Sequence, residues 1–155
     1  MIRHLTLVLV LAASFAGAAP KTSETVKYYT VSGTNLATLR SEMERLGPEG
    51  FWGYTRWWIT WSRDCEIDLE ITITMPQLDP SANLSQRDKR VWDAMIGALL
   101  RHEQMHAEHG RQAAAEMVAS ECEAPRRVIR KWAERDRILD RDTQHGTTQG
   151  VVLPD

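Results

Sequence analysis

The segment His102-Glu103-Gln104-Met105-His106 combines residue types that can bind a metal ion and move a proton. Two histidines four residues apart lie on one face of a helix, about 6 Å apart along its axis. Their ring nitrogens can meet one zinc ion at about 2.0–2.1 Å each. Glu103 lies beside them, where it can take a proton from the attacking water and pass it to a leaving amine. This pattern predicts zinc-dependent hydrolysis of peptide bonds, with His102 and His106 as ligands and Glu103 as general base.

A catalytic zinc ion requires a third protein ligand, and the sequence offers several. His145, in the turn-rich tail, is favoured, and its alternative role is that of a solvated tail residue. Asp140 is the second candidate, because it falls with Asp136 on the apolar stripe of a predicted helix, where a carboxylate usually has a partner. A salt bridge to a neighbouring arginine is the alternative role of both aspartates. The remaining candidates are Glu116, Glu121 and Asp136.

His109 shares the helix face of His102 and His106, but its spacing does not suit the same ion. Its Cα is about 10.5 Å along the axis from that of His102, so a regular helix cannot wrap all three histidines around one metal. The longer motif H-E-x-x-H-x-x-G-x-x-H also fails, because His109 stands at its glycine and Gln112 at its third histidine. His109 is therefore predicted to contact a ligand, to line a cleft or to lie on the surface.

Hydrophobic periodicity predicts a long helix for this motif and a small sheet beside it. No proline occurs between Ser85, a capping residue, and Ser120, and apolar residues recur there at helical spacing. Alternation at 52–61 and 65–75 predicts an antiparallel hairpin, and Pro76 is expected to end its second strand. The other predicted elements are a strand at 26–32, a helix from about residue 35 to Leu46 and a helix from Pro125 to about Asp142. The predicted class is α+β: a small antiparallel sheet packed on the long motif-bearing helix, with one helix before the hairpin and one C-terminal helix.

The first residues are typical of a secretory signal peptide. A short polar start precedes an apolar run from Leu5 to Ala13, and Ala16-Gly17-Ala18 fits a cleavage signal. The run is too short for a good transmembrane span, which disfavours the alternative of an uncleaved anchor. The prediction is a signal peptide at 1–18 and one domain at 19–155. Such a protein would be exported to the periplasm or the extracellular space and would keep no stable membrane anchor.

Cysteine content agrees with export. Cys65 and Cys122 are the two cysteines, and an even count in an exported chain points to a disulfide. Two cysteines allow one intramolecular pairing, and two buried free thiols are the alternative.

Net charge and aromatic content indicate which class of molecule the protein binds. Lys and Arg number 19 against 21 Asp and Glu, and Arg3 falls in the predicted signal, so the mature chain would carry a net charge of about −3. That balance argues against a dedicated nucleic-acid binder. A peptide or protein substrate is expected, and the oligomeric state is left open. Four tryptophans would either pack the sheet or form an aromatic wall for a ligand: Trp52, Trp57, Trp58 and Trp61.

The chain resembles a bacterial family of exported domains of unknown function that are described as predicted secreted zinc-dependent proteases. The resemblance runs from Tyr28-Tyr29 to Leu153-Pro154. It rests on Trp61 before Cys65, the motif at residues 102–106, Cys122, and the tail at residues 140–146. The tail is similar to a Tyr-Asp-x-x-Thr-x-His-Gly signature, with matches at Asp140, Thr143, His145 and Gly146 and with Leu139 at the tyrosine position.

This resemblance implies a zincin-like site in which His102 and His106 bind zinc and Glu103 is the base. It also raises Asp140 and His145 as functional positions, and it supports a bridge between Cys65 and Cys122. The protease description of the family rests largely on the motif itself.

Two other functions fit the same residues. In the first, zinc is purely structural and has a closed fourth position, for example with both Asp140 and His145 as ligands. In the second, the protein is a metal-free interaction domain that uses its tryptophans.

For the peptidase, a strand of the hairpin is expected to hold an extended substrate by strand addition. The group that stabilises the oxyanion is not identified, and His109 and Tyr54 are its candidates.

Overall fold

Three strands and three helices make up the computed structural model, which describes residues 18–154. In chain order they are β1 (Lys21–Val31), α1 (Leu36–Leu46), β2 (Tyr54–Trp61), β3 (Ile67–Leu78), α2 (Gln86–Ala119) and α3 (Pro125–Thr143). Short 3-10 turns lie at Pro48–Gly50 and Thr147–Gln149. The predicted α+β class and order of helices are confirmed. Residues 1–17 of the predicted signal peptide lie outside the described residues, and within 18–154 no helix is long and apolar enough to cross a membrane.

The three strands form one sheet in the order β1-β3-β2. β2 and β3 pair antiparallel, as the hairpin prediction required, with Trp57 opposite Ile71. β1 pairs parallel with β3, so the sheet is mixed and not antiparallel throughout. The reason for this difference is that alternation of apolar and polar residues reports which face is buried, and not the direction of the neighbouring strand.

β3 is longer than the sequence predicted, because it continues through Pro76 to Leu78. The prediction that Pro76 ends this strand was wrong. Pairing with β2 stops at Thr74, so Pro76 lies where only β1 flanks the strand. A strand tolerates proline at such a position, because proline has no N–H to donate to a second neighbour.

The core lies between the sheet and α2. One face of β3 is almost fully buried through Ile67, Leu69, Ile71, Ile73 and Met75. The buried stripe of α2 begins with Trp92, Met95 and Leu99 and continues into His102 and His106. The Ser85 hydroxyl caps this helix by accepting a hydrogen bond of 3.1 Å from the Asp88 amide. The sheet thus supports the helix that carries the motif, and α3 packs against the same helix.

The predicted disulfide between Cys65 and Cys122 is confirmed. It joins the residues before β3 to the segment that follows α2, with the two Cα atoms 5.6 Å apart. Cys122 lies beyond the end of α2, about 20 Å along the helix from His106. The bridge therefore fixes one end of the helix and lies far from the motif.

Replacing both Cys65 and Cys122 with Ser is expected to lower the free energy of unfolding by about 3–5 kcal/mol, because the bridge spans a sequence separation of 57 residues. Urea denaturation of wild type and of the double variant measures this loss. Metal affinity should not change, because the motif is remote from the bridge. A loss below about 1 kcal/mol would show that the bridge does little to restrict the unfolded chain.

Candidate metal centre

Two elements bring together three atoms that could bind one metal ion. His102 and His106 lie on the buried side of α2, 3% and 7% exposed, with their Nε2 atoms 3.3 Å apart. α3 crosses this helix and places Asp140 Oδ1 at 3.2 Å from His102 Nε2 and at 3.0 Å from His106 Nε2. We call these three atoms the ligand triangle.

The ligand triangle fits a small divalent metal ion. A tetrahedral zinc ion about 2.0–2.2 Å from each ligand separates its ligand atoms by roughly 3.3–3.6 Å. The three sides of the triangle, 3.0, 3.2 and 3.3 Å, are within a few tenths of an ångström of that geometry. Imidazole nitrogens with one carboxylate oxygen are a common ligand set of zinc, and three protein ligands leave one position open.

The second nitrogen of each ligand histidine has its own acceptor. His102 Nδ1 donates to Gln149 Oε1 at 2.9 Å, and His106 Nδ1 donates to Asp136 Oδ1 at 2.9 Å. A metal ion bound at both Nε2 atoms would leave the proton of each neutral ring on Nδ1, where these oxygens accept it. The two acceptors therefore suit the ring state that a metal ion requires.

Glu103 lies next to the ligand triangle and is 4% exposed. Burial raises the pKa of its carboxyl to about 7, against smaller lowering contributions from the Thr55 hydroxyl and from His106. Gly53 leaves room for this carboxylate, because a Cβ at Gly53 would lie 2.8 Å from Glu103 Oε1. A carboxyl with a pKa near neutrality suits proton transfer in both directions.

The stability of metal-free protein is expected to depend on pH through Glu103. Its pKa is about 7 in the folded state against an ordinary value of 4.5, so the folded state binds the proton more tightly. The resulting stabilisation is complete below pH 4.5 and is lost as pH rises through 7. From pH 5 to pH 8, wild type should lose about 2–3 kcal/mol more unfolding free energy than Glu103→Gln, whose amide does not titrate. Equal losses in urea denaturation of both metal-free proteins would contradict the raised pKa.

The ligand triangle opens into a cleft of about 380 Å³. Its walls include Phe51, Gly53, Tyr54, Leu99 and His145, together with Glu103 and the three residues of the ligand triangle.

A second groove, of about 440 Å³, lies between β2 and α3, and we call it the β2 groove. It is lined mainly by apolar side chains, among them Trp57, Ile59, Trp61, Ile129 and Ala133. Tyr54, Thr55 and Asp136 line both spaces, so the cleft and the β2 groove adjoin.

Asp140, and not His145, completes the ligand triangle in the structure. His145 lies in the tail that follows α3, with its Nδ1 3.6 Å from Asp140 Oδ1 and its side chain 58% exposed. It is not among the residues whose ligand atoms lie within 4.8 Å of one another. Its role as a zinc ligand therefore stays a prediction, and the geometry favours Asp140 as the third ligand. Within residues 18–154, Glu116 and Glu121 belong to no such group either.

His109 contacts the carboxylate of Asp136, which lies outside the ligand triangle. Asp136 Oδ1 accepts from His106 Nδ1 at 2.9 Å and from His109 Nδ1 at 2.7 Å, and Oδ2 accepts from Trp57 Nε1 at 2.8 Å. Burial alone would raise the pKa of Asp136, but these hydrogen bonds together hold it below its ordinary value. The two aspartates of the apolar stripe thus bind histidines, where the sequence also allowed salt bridges to arginine.

The tail signature packs against the His102 ring at Gly146. The Thr143 hydroxyl donates to the Leu139 carbonyl at 2.7 Å and accepts from the Gly146 amide at 3.1 Å, which fixes the turn after α3. Gly146 has φ 81°, and a Cβ there would lie 2.6 Å from Val151 Cγ2 and 3.2 Å from His102 Cγ. Leu139 takes part through its backbone, so the departure from tyrosine does not affect this turn.

Sequence reasoning missed Gln149 and Thr55. Gln149 lies in the 3-10 turn after Gly146 and accepts from His102, but a single glutamine in a turn-rich tail carries no recognisable signal. Thr55 lies on β2 and donates to the Glu103 carbonyl at 3.0 Å. A threonine at an inward position of a strand is ordinary, so only the packing of β2 on α2 reveals this contact.

Comparison with known proteins places the chain in a family. A family model described as a bacterial protein of unknown function (DUF922) matches residues 26–146, which is well over half of the chain. Neither the curated proteins nor the solved structures include a match. The matched range contains His102, His106, Asp140, Glu103 and the tail signature as far as Gly146. The chain therefore belongs to the DUF922 family of bacterial proteins.

Proposed function

We propose that this protein is an exported zinc-dependent peptidase with His102, His106 and Asp140 as its ligands. The observation that carries the proposal is a three-ligand site with a buried carboxyl beside it, both opening into one cleft. Structural zinc sites are usually closed by four protein ligands, whereas catalytic sites keep one position for water or substrate. The disulfide supports export, because such bonds persist in oxidising compartments.

Zinc, when bound, would polarise the carbonyl of a peptide bond and lower the pKa of water towards about 7. Glu103 accepts the proton of the attacking water, and its pKa of about 7 allows it to return that proton to the leaving amine. Gln149 and Asp136 hold the ligand rings in place. Tyr54 is the remaining oxyanion candidate that lines the cleft, because His109 is bound to Asp136.

β2 is positioned to hold an extended substrate. Within the described part of the chain it pairs only with β3, so its other edge has backbone groups available for strand addition. The β2 groove runs beside this edge and adjoins the cleft. Its aromatic and aliphatic lining suits a peptide with large apolar side chains, which would extend from the β2 groove to the ligand triangle.

The proposal is tested by cleavage of a broad peptide library, with new termini identified by mass spectrometry. We expect cleavage by the zinc-loaded protein, loss of cleavage after chelation, and recovery when zinc is added back. Protein that binds one zinc ion and cleaves nothing in the library would overturn the peptidase proposal.

A structural zinc module is the second candidate, and one observation favours it. His145 Nδ1 is 3.6 Å from Asp140 Oδ1, so a modest shift of the tail would bring a fourth protein ligand to the ion. Zinc would then hold α2 to the tail and leave no position for water. The effect of His145→Ala on zinc affinity distinguishes the two candidates.

A further inference from the structure

We propose that Asp136 is a positioning residue that sets the orientation of His106 and of Trp57, and that it is not itself a metal ligand. The inference rests on the metal centre of the proposed function and does not require peptide hydrolysis. It assigns a role to the second group of potential ligands, His106, His109 and Asp136, which lies beside the ligand triangle.

The Asp136 carboxylate is already occupied by three N–H donors from two different elements. Its Oδ1 accepts from His106 and His109 on α2, at 2.9 and 2.7 Å, and its Oδ2 accepts from Trp57 on β2, at 2.8 Å. A carboxylate that accepts several aligned donors is held in one orientation. Asp136 therefore ties α3 to both the ligand helix and the edge strand.

A metal ion bound by His106, His109 and Asp136 would disrupt the ligand triangle. His106 already directs Nε2 into the ligand triangle, so an ion on its Nδ1 would need the ring to lose both protons. The same ion would displace the histidine N–H donors from Asp136. In many metal sites, a carboxylate that does not bind the metal accepts a hydrogen bond from the Nδ1–H of a ligand histidine.

The Trp57 contact links the metal centre to the β2 groove. Trp57 packs against α2 at Gly110, where a Cβ would lie 2.8 Å from Trp57 Cβ and Cγ. The indole is therefore held between α2 and the Asp136 carboxylate, and it forms part of the β2 groove wall. One carboxylate thus orients a zinc ligand and a wall of the groove.

The experiment measures zinc affinity by competition with a chromophoric chelator. Asp136→Leu keeps a side chain of similar size but has no accepting oxygen, so His106 Nδ1 loses its acceptor. We expect a loss of affinity of about 10- to 100-fold with one zinc ion still bound per chain. The matched controls His109→Leu and Trp57→Phe, which each remove one donor and leave His106 bound, should change zinc affinity less than about threefold.

A second measurement follows the His106 ring directly. Proton NMR of the zinc-loaded wild type should show the His106 Nδ1–H as a slowly exchanging signal, and in Asp136→Leu this proton should exchange faster with water. Equally fast exchange of this proton in wild type and in Asp136→Leu would overturn the proposal, as would an unchanged zinc affinity in Asp136→Leu. A loss of zinc affinity in Asp136→Leu as large as that in His106→Ala would show that Asp136 is a ligand. Binding of a second zinc ion by wild type, but not by Asp136→Leu, would lead to the same conclusion.

Discussion

Glu103→Gln is expected to lower kcat for peptide hydrolysis by about 10²- to 10⁴-fold and to leave one zinc ion per chain. Gln has nearly the same shape as Glu, so the packing against Gly53 should persist. It cannot accept and return a proton, which is the role proposed for this buried carboxyl. The measurement is steady-state cleavage of one peptide from the library, with zinc quantified in the same samples.

Glu108→Gln is the matched control for this variant. Glu108 lies on the same helix but is exposed, where it contacts Arg111 and Gln112. Its replacement should leave kcat within about twofold of wild type, since a surface carboxylate takes no part in the chemistry. If Glu103→Gln kept more than about a tenth of wild-type kcat, Glu103 would not be the general base.

Removal of a ligand is expected to have the largest effect on zinc binding. His106→Ala removes a corner of the ligand triangle, so zinc affinity should fall by more than the roughly 100-fold limit typical of residues that only orient a ligand. Asp140→Asn should also exceed that limit, because its Oδ1 lies 3.0 and 3.2 Å from the two Nε2 atoms. Competition titration with a chelator measures both losses.

His145→Ala decides how many protein ligands the ion has. With an open fourth position, this variant should bind zinc within about threefold of wild type. A loss as large as that of Asp140→Asn would give the ion four protein ligands. That result would contradict the catalytic site and favour the structural zinc module.

The motif helix was predictable because its signals are local. A capping serine, an unbroken apolar stripe and two histidines at i and i+4 all report on one helix and its buried face. The same holds for the hairpin, whose alternation fixes its inward face. The two cysteines allowed only one intramolecular pairing, which the structure confirms.

The rest of the site depends on how separate elements pack, which periodicity does not report. Asp140 and His145 both lie in the tail signature, and only the crossing of α3 over α2 distinguishes their distances from the histidines. The parallel pairing of β1 depends on a partner 47 residues along the chain, as in the register of Lys21 with Asp68. Gln149 reaches His102 only through the turn at Gly146.

Titration of metal-free protein with zinc, followed by the rate of peptide cleavage, tests the central claim most directly. A catalytic site made by His102, His106 and Asp140 predicts no cleavage without zinc and a rate that rises linearly to a plateau at one equivalent per chain. Cleavage that persists without zinc, or zinc-saturated protein that cleaves nothing, would contradict that claim.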